Sequence, residues 1–588
     1  MKSLYIPFTV LVSVFIFSSG CQKNNAPSNH NVTDASASDS SGYIVVTANP
    51  HATNAGKEII EAGGSAVDAA IAIQSVLSLV EPQSSGLAGG AFMMHYDASE
   101  KNLTVYDGRE RAPKSATKDM FLKDDGTPFS YLDAKNSGLS VGVPSAIAML
   151  EMAHNDFGKH SWKSLFGYAK ALATNGFSVS PRLHNILKRY GRLIPSTPEE
   201  GPMEAYNYFH IDGEPLPVGH ILKNPDYAEA LDIISADPSA FYKGSIAEKI
   251  VAEVARTPRA GAMTLEDLSS YKPQKLEALC SPYREMLVCG PPPPSSWIAV
   301  STIMSLLDKN PFPEQNKNNS SANWQHFINA QRLAYADRDH FIADPEFSNV
   351  PIDGLLNSDY IAERAKKLSS QAPVAIEVGN PWKFSSNKQA SLIGKDATND
   401  VAGTSHFVVV DKNGDAVSMT TTVESIFGSS RMVGGMFLNN QLTDFSFRYQ
   451  DEKGLPIANA VHPGKRPRSS MSPTIILDEN REFLMATGSP GGSNIIAYTA
   501  KSIVGVLDWG LTPQQAVALP NVVARGDIVR IEANTGSEDL VQAFKKAGYN
   551  VDGSRGENSG LSMAVRKPDG SLVGGVDPRR EGTIGKPE

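Results

Sequence analysis

The sequence predicts a layered α+β protein, on three observations. Tyr43 to Ala48 is a short apolar run of strand type. Ala66 to Val80 has the length of a helix and is apolar on nearly every face, which places it between layers and not on a surface. Beyond residue 403, alternating apolar runs separated by turn residues give a strongly β-patterned region.

The chain opens on a leader that does not belong to the fold. Lys2 supplies a positive start, and Leu4 to Phe17 is an apolar run too short for a comfortable membrane span. Ser18, Ser19 and Gly20 then lead into Cys21, the order of a bacterial lipoprotein signal in which the cysteine is lipidated. Ser18 departs from the large aliphatic residue usual there, and an ordinary secretory signal is the alternative. Either reading exports the protein, with residues 1–20 as signal. The expected location is the periplasm, attached to a membrane only through the lipid on Cys21. Residues 21–42 are rich in Asn, Ser, Ala and Asp and read as a flexible tether.

From Gly42 onward the elements follow in turn. Thr53 to Val80 is helical with a break at Gly63-Gly64, and Asp68 and Gln74 argue against a membrane helix. Gly86 to Gly90 is a glycine-rich turn before the strand Phe92 to Tyr96. It has neither the Lys-Ser/Thr ending nor the strand–loop–helix order of a phosphate-binding loop. Residues 145–270 are mostly helical, Pro291 to Pro294 is a rigid stop, and Trp324 to Phe341 has apolar residues at helical spacing. Phe384 to Val401 turns polar with few apolar anchors, so a mobile segment and a seam near 403 are expected.

Composition narrows the class. With 588 residues, 41% hydrophobic and 20% charged, the chain can build a large core. A net charge of −9 without a basic stripe excludes a nucleic-acid partner. No Cys/His cluster has metal-ligand spacing and HExxH is absent, which disfavours a metal enzyme. Cys280 and Cys289 flank a turn-like Ser281-Pro282; a hairpin disulfide and two free thiols fit that spacing equally.

The chemistry gathers at the seam. Gly403-Thr404-Ser405-His406 leads into the strand Phe407 to Val410, and Ala416 to Val423 is the return strand. Asn413-Gly414 between apolar runs is a hairpin signal. A three-residue Lys412-Asn413-Gly414 loop would set Thr404 opposite Thr422, with Thr420, Thr422 and Glu424 in one row beside it. A two-residue loop would set Thr404 opposite Val423 instead.

Several blocks then resemble the γ-glutamyltranspeptidase family. They are Glu61 to Ala70, Asp107-Gly108-Arg109-Glu110, Thr404-Ser405-His406, Leu438 to Phe445, Arg466 to Thr474 and Gly488 to Ser493, in one order from Gly42 to the end. The resemblance implies the four-layer αββα sandwich of N-terminal-nucleophile hydrolases, one domain built from a large subunit (43–403) and a small subunit (404–588). Scission of Gly403–Thr404 would join them as a heterodimer. It also implies transfer of a γ-glutamyl group from glutathione-like amides to water, amino acids or peptides, with no cofactor.

Residue by residue, Thr404 matches the nucleophile, Thr422 the threonine that hydrogen-bonds it, and Gly491 and Gly492 the oxyanion donors. Arg109, Ser469 and Ser470 match the binders of the substrate α-carboxylate, and Gln441 and Asp444 those of its ammonium. Glu424 stands where the family carries an asparagine near that amine. Ala88 and Ala91 replace glycines, and Trp297-Ile298 replace a small pair, with Trp297 expected to reshape the acceptor side. Two rival readings are an acylase acting on glutaryl amides such as a cephalosporin side chain, and a catalytically silent surface-binding lipoprotein. Asp444 and Glu424 disfavour the first, and an intact Thr404 the second.

Overall fold

Two β-sheets stacked face to face organise the chain. The computed structural model describes residues 42–314, 318, 320–369, 372–387, 393–396, 398, 403–556 and 558–587. Cys21, the leader and the tether lie outside these residues, as does much of the polar stretch expected to be mobile. The described residues fall in one compact unit, Ser40–Glu588.

The first sheet has seven strands. Their spatial order is Thr583–Gly585, Ile44–Thr47, Gly403–Val410, Ala416–Glu424, Gly90–Asp97, Asn102–Gly108 and Gln274–Glu277. The second runs Leu572–Val576, Ser562–Arg566, Phe483–Gly488, Thr474–Leu477, Met286–Gly290, Leu279–Tyr283. Strand periodicity sorts the side chains into layers. Ile44, Val46, Val408, Val410 and Met94 meet Ile475, Leu477 and Ala486 between the sheets. Their neighbours Val45, Phe407, Val409 and Met93 face the other way and pack with the helix Ala66–Val80. On the far side, Val288, Ile476 and Met485 pack under the helices Trp297–Lys309, Ser321–Phe341 and Ile495–Leu507. The layer order is αββα, as the resemblance implied.

All fifteen residues of Ala66–Val80 are buried. Asp68, the acid that argued against a membrane helix, completes a capping box with Ser65. The preceding helix begins at Pro50 and not at Thr53, because Asn49 caps it by accepting from the His51 amide at 2.9 Å and Pro50 fills the first turn. The break falls at Gly63, whose φ is +92°. In the hairpin of the second sheet Cys280 lies opposite Cys289 and the two form a disulfide, which settles the open choice.

The strand that starts at Gly403 is central in its sheet, flanked by Ile44–Thr47 and Ala416–Glu424. Every residue of these two hairpin strands is buried. A break at Gly403–Thr404 would therefore create an N-terminus inside the molecule.

Candidate active site

The hairpin loop has three residues. The Asp411 amide donates to Asp415 O at 2.9 Å, and Gly414 is left-handed at φ +86°. Thr404 consequently faces Thr422, their hydroxyl oxygens 3.3 Å apart. The row does not continue to Glu424, however. The ladder shifts between Gly403 and Thr404, so Gly403 pairs with Glu424 and Val423 is the extra residue of a bulge. Glu424 itself takes φ +79°, a strained value for a side chain of its size.

That kink has a chemical result. The Glu424 amide turns back and donates to Thr422 Oγ1 at 2.7 Å, and the Thr422 hydroxyl donates to Gly403 O at 2.6 Å. The Thr422 hydroxyl thus polarises the carbonyl that precedes Thr404, the one a Thr404 nucleophile would attack. Arg580 Nη1 holds Thr404 O at 2.9 Å on the other side. Behind Thr422 the glycine-rich turn comes so close that a Cβ on Gly89 would sit 1.9 Å from Thr422 O.

Thr404, Thr422 and Gly492 line one small cavity with Arg109, Glu424, Gln441, Asp444, Ser469 and Ser470. Nearly all the residues singled out in the sequence therefore converge. Gly491, φ +138°, adjoins Gly492, φ +58°, just ahead of the helix Ile495–Leu507. Backbone N–H groups at a helix start suit a developing oxyanion. A Cβ at Gly491 would meet the Tyr498 ring at 2.5 Å, so no other residue fits there.

Arg109 is fully buried. Its Nε donates to Pro467 O at 3.1 Å, and its Nη2 to Arg468 O at 2.7 Å and Asp444 Oδ2 at 2.6 Å. Gln441 Nε2 donates to the same Asp444 oxygen at 2.6 Å. The group matched to the substrate carboxylate and the group matched to its ammonium therefore pair with each other. The cavity, about 20 Å³, has room for a single water molecule. An amino-acid zwitterion would insert between Arg109 and Asp444, exchanging one ion pair for two.

Glu424 lies on the same wall. Tyr131 Oη donates to its Oε2 at 2.9 Å, and Asn440 Nδ2 donates there too. Burial, and then the charge of Asp444, push its carboxyl well above the usual carboxylate range. Lys135, fully buried with Nζ 2.8 Å from Ser430 Oγ, is pulled down to about 7 by burial, only partly opposed by Glu424. Ser470 Oγ accepts from the buried Arg338, which leaves its own proton free to point at a carboxylate. Tyr131, Lys135, Arg338 and Arg580 carried no signal in the sequence. Trp297 does not shape the cavity: it is wholly buried in the helical layer, against Gly290.

Glu110 gives a pH prediction. Both its carboxylate oxygens are buried without a hydrogen-bond partner, and burial raises its pKa to about 8, against the pull of Arg109 3.6 Å away. The folded state then holds a proton that the unfolded chain loses near pH 4.5. Stability is full below that value and falls as pH rises towards about 8. Glu110→Gln removes this loss: in thermal unfolding at a fixed scan rate from pH 4.5 to 9, the variant's midpoint rises steadily relative to the wild type's across the window.

A family model described as Gamma-glutamyltranspeptidase matches residues 52–586. The glutathione hydrolase proenzyme of Bacillus subtilis (strain 168) is 34% identical over 548 residues, which cover 92% of this chain and 90% of that one. The glutathione hydrolase proenzyme of Escherichia coli (strain K12) is 35% identical over 550 residues, 91% and 90% of the two chains. The crystal structure of cephalosporin acylase from Bacillus halodurans covers 97% of this chain and 99% of its own, with a TM-score of 0.81 at 24% identity, a likeness of fold.

Proposed function

Because the chain belongs to the γ-glutamyltranspeptidase family, we propose that it acts as a glutathione hydrolase and γ-glutamyltransferase through Thr404. It is a precursor processed into two subunits, and the cut falls between Gly403 and Thr404. The observation that carries this is the set of three oxygens at the seam: the Thr404 hydroxyl faces the Thr422 hydroxyl, which donates to the carbonyl of Gly403.

In processing, Thr404 Oγ1 attacks the Gly403 carbonyl carbon and passes its proton to the departing Thr404 nitrogen. The C–N bond breaks, an ester forms, and water hydrolyses it to a Gly403 carboxylate and a free hydroxyl. The new α-amine, with an unperturbed pKa of roughly 7.7–8.0, is the base that an unaided threonine lacks. In turnover this amine takes the Thr404 hydroxyl proton as the oxygen attacks the γ-glutamyl carbonyl. Gly491 and Gly492 donate to the oxyanion, and the leaving amine departs with the proton. Water or an amino acid then takes the acyl group from Thr404.

Substrate choice follows from charge. Arg109 with Ser469 and Ser470 receives the α-carboxylate, and Asp444, Gln441 and Glu424 receive the ammonium. A glutaryl group lacks that ammonium and would leave Asp444 without its counter-charge. Initial rates on γ-glutamyl and glutaryl 4-nitroanilide test this: a preference of about 10²-fold or more for the first is expected. Equal rates would favour the acylase reading.

Export and lipidation at Cys21 belong to the same proposal. The leader supports it, and the Cys280–Cys289 disulfide suits an oxidising compartment. Among the described residues no helix is long and apolar enough to cross a membrane. Cys21→Ala should move the protein from the membrane fraction to the soluble one; an unchanged distribution on fractionation would reject the lipid anchor.

A further inference from the structure

The ladder between Ile44–Thr47 and Gly403–Val410 reaches only as far as the Val46–Val408 pair. Thr404 lies past its end, and its carbonyl oxygen accepts from Arg580 Nη1 at 2.9 Å. The rest of that guanidinium is fixed as well. Its Nε donates to Ser559 O at 3.2 Å, and Glu81 Oε2 lies 3.7 Å from Nη1. A Cβ on Gly560 would sit 2.3 Å from Arg580 Nε, so only glycine leaves room for the side chain. We propose that Arg580 is a positioning residue for the proton transfer: it fixes the main chain of Thr404, and its charge favours the neutral, basic form of the α-amine that scission frees there. The proposal rests on the reading of Thr404 as nucleophile.

Distance gives the charge its effect. The nitrogen and the carbonyl oxygen of one residue are about 3 Å apart, which puts the guanidinium within about 6 Å of the α-amine. A like charge at that range disfavours protonation. Alone, through the effective dielectric of a protein, it would lower the amine's pKa by about two units. Glu81 offsets only part of this, because it is shared: Arg182 meets both its oxygens at 3.0 Å, so one anion serves two cations. A net shift of about one unit remains, from roughly 7.7–8.0 to about 7. Burial, and then Arg182, lower the pKa of Arg580 itself to about 9, which leaves it a cation at neutral pH.

The other charges around Thr404 are paired, or burial pushes them towards neutrality. On the donor side Asp444 is paired with Arg109 at 2.6 Å, and Glu110 beyond that arginine is raised to about 8. Across the hairpin, burial pushes the Glu424 carboxyl up and the Lys135 ammonium down to about 7. His406, next along the same face of the strand, is lowered to about 3 by burial and carries no charge at neutral pH. Behind Ser470, Arg338 pairs with Asp339. In the C-terminal segment Arg579 is balanced by Asp577 and Glu532, and Glu581 accepts from the Arg182 amide. The Gly403 carboxylate that scission creates is common to wild type and variants, and cancels from their comparison.

The pH dependence of kcat/KM for γ-glutamyl 4-nitroanilide tests this, with intact mass showing that each protein is cut. The wild type should have an acid limb with its midpoint at about 7. Arg580→Met should move that midpoint up by about one unit, and lower the plateau as well, because the bond to Thr404 O is lost. Arg580→Lys should return the midpoint to its wild-type place. Arg182→Gln leaves the bond from Arg580 to Thr404 in place but gives Glu81 to Arg580 alone, so it should raise the midpoint by a smaller amount. That variant decides the matter if Arg580→Met does not fold or is not cut. A wild-type midpoint at about 8 or above overturns the proposal, as does an unmoved midpoint in Arg182→Gln. So does a plateau that falls in Arg580→Met with the midpoint unmoved, or an Arg580→Lys midpoint that moves as far as that of Arg580→Met. A wild-type protein that stays uncut and hydrolyses nothing would instead overturn the reading of Thr404 itself.

Discussion

Thr404→Ala is expected to run as one uncut polypeptide and to hydrolyse γ-glutamyl 4-nitroanilide about 10⁴-fold or more below the wild type. Two losses coincide in that single atom. Without Oγ1 there is nothing to attack the Gly403 carbonyl, so the α-amine never forms, and there is no oxygen to carry the acyl group. The fold should survive, because the side chain removed is small and its one partner, Thr422, retains its bonds to Gly403 O and the Glu424 amide. Intact mass and a thermal melt check both points. Thr404→Ser separates the two losses: it should still be cut, more slowly, and recover part of the activity. An uncut Thr404→Ala protein with full turnover would remove the basis of the mechanism.

The second large effect belongs to Arg109. Arg109→Lys should raise KM for the γ-glutamyl anilide about 10²-fold while kcat changes less. A lysine cannot donate along Nε to Pro467 O and along Nη2 to Arg468 O and Asp444 at once, as the guanidinium does. Two charge-assisted bonds to the substrate carboxylate, each about 1.5–3 kcal/mol, are weakened together. The lysine variant is the informative one. Arg109→Ala would leave Asp444 beside an emptied wall, and an uncompensated buried charge costs about 3–5 kcal/mol in stability, which confuses binding with folding. A KM within twofold of wild type in Arg109→Lys would assign the carboxylate to another group.

How far the site could be read beforehand depended on whether its geometry is local. The hairpin register came down to loop length, which the sequence left open between two residues and three; Gly414 in a left-handed three-residue turn then fixes which residues face each other along both strands. The layer order came only with the family resemblance: Ile44 to Val46 and Val408 to Val410 are apolar at every position, so they mark buried strands without saying which residue faces which layer. Glu424 was misplaced because a bulge adds one residue without any mark in the alternation, and Val423 is as apolar as its neighbours. Tyr131 was invisible for another reason. Its bond to Glu424 joins positions 293 apart, and nothing in a tyrosine between Ser130 and Leu132 announces that partner. The disulfide lay between these cases: the turn was legible, but whether two thiols point the same way is decided by register.

With the proposed cut before Thr404, the strand Gly403–Val410 would give the small subunit the third of seven places, with Ile44–Thr47 of the large subunit on one side and, one strand beyond its own hairpin partner, Gly90–Asp97 on the other. The two products of scission are therefore woven through each other. Such a weave can be made only from a single thread, folded first and severed afterwards. Once unravelled, the separated pieces would have to find each other in dilute solution and thread an edge that neither possesses alone, so denaturation of the mature enzyme should be a one-way event.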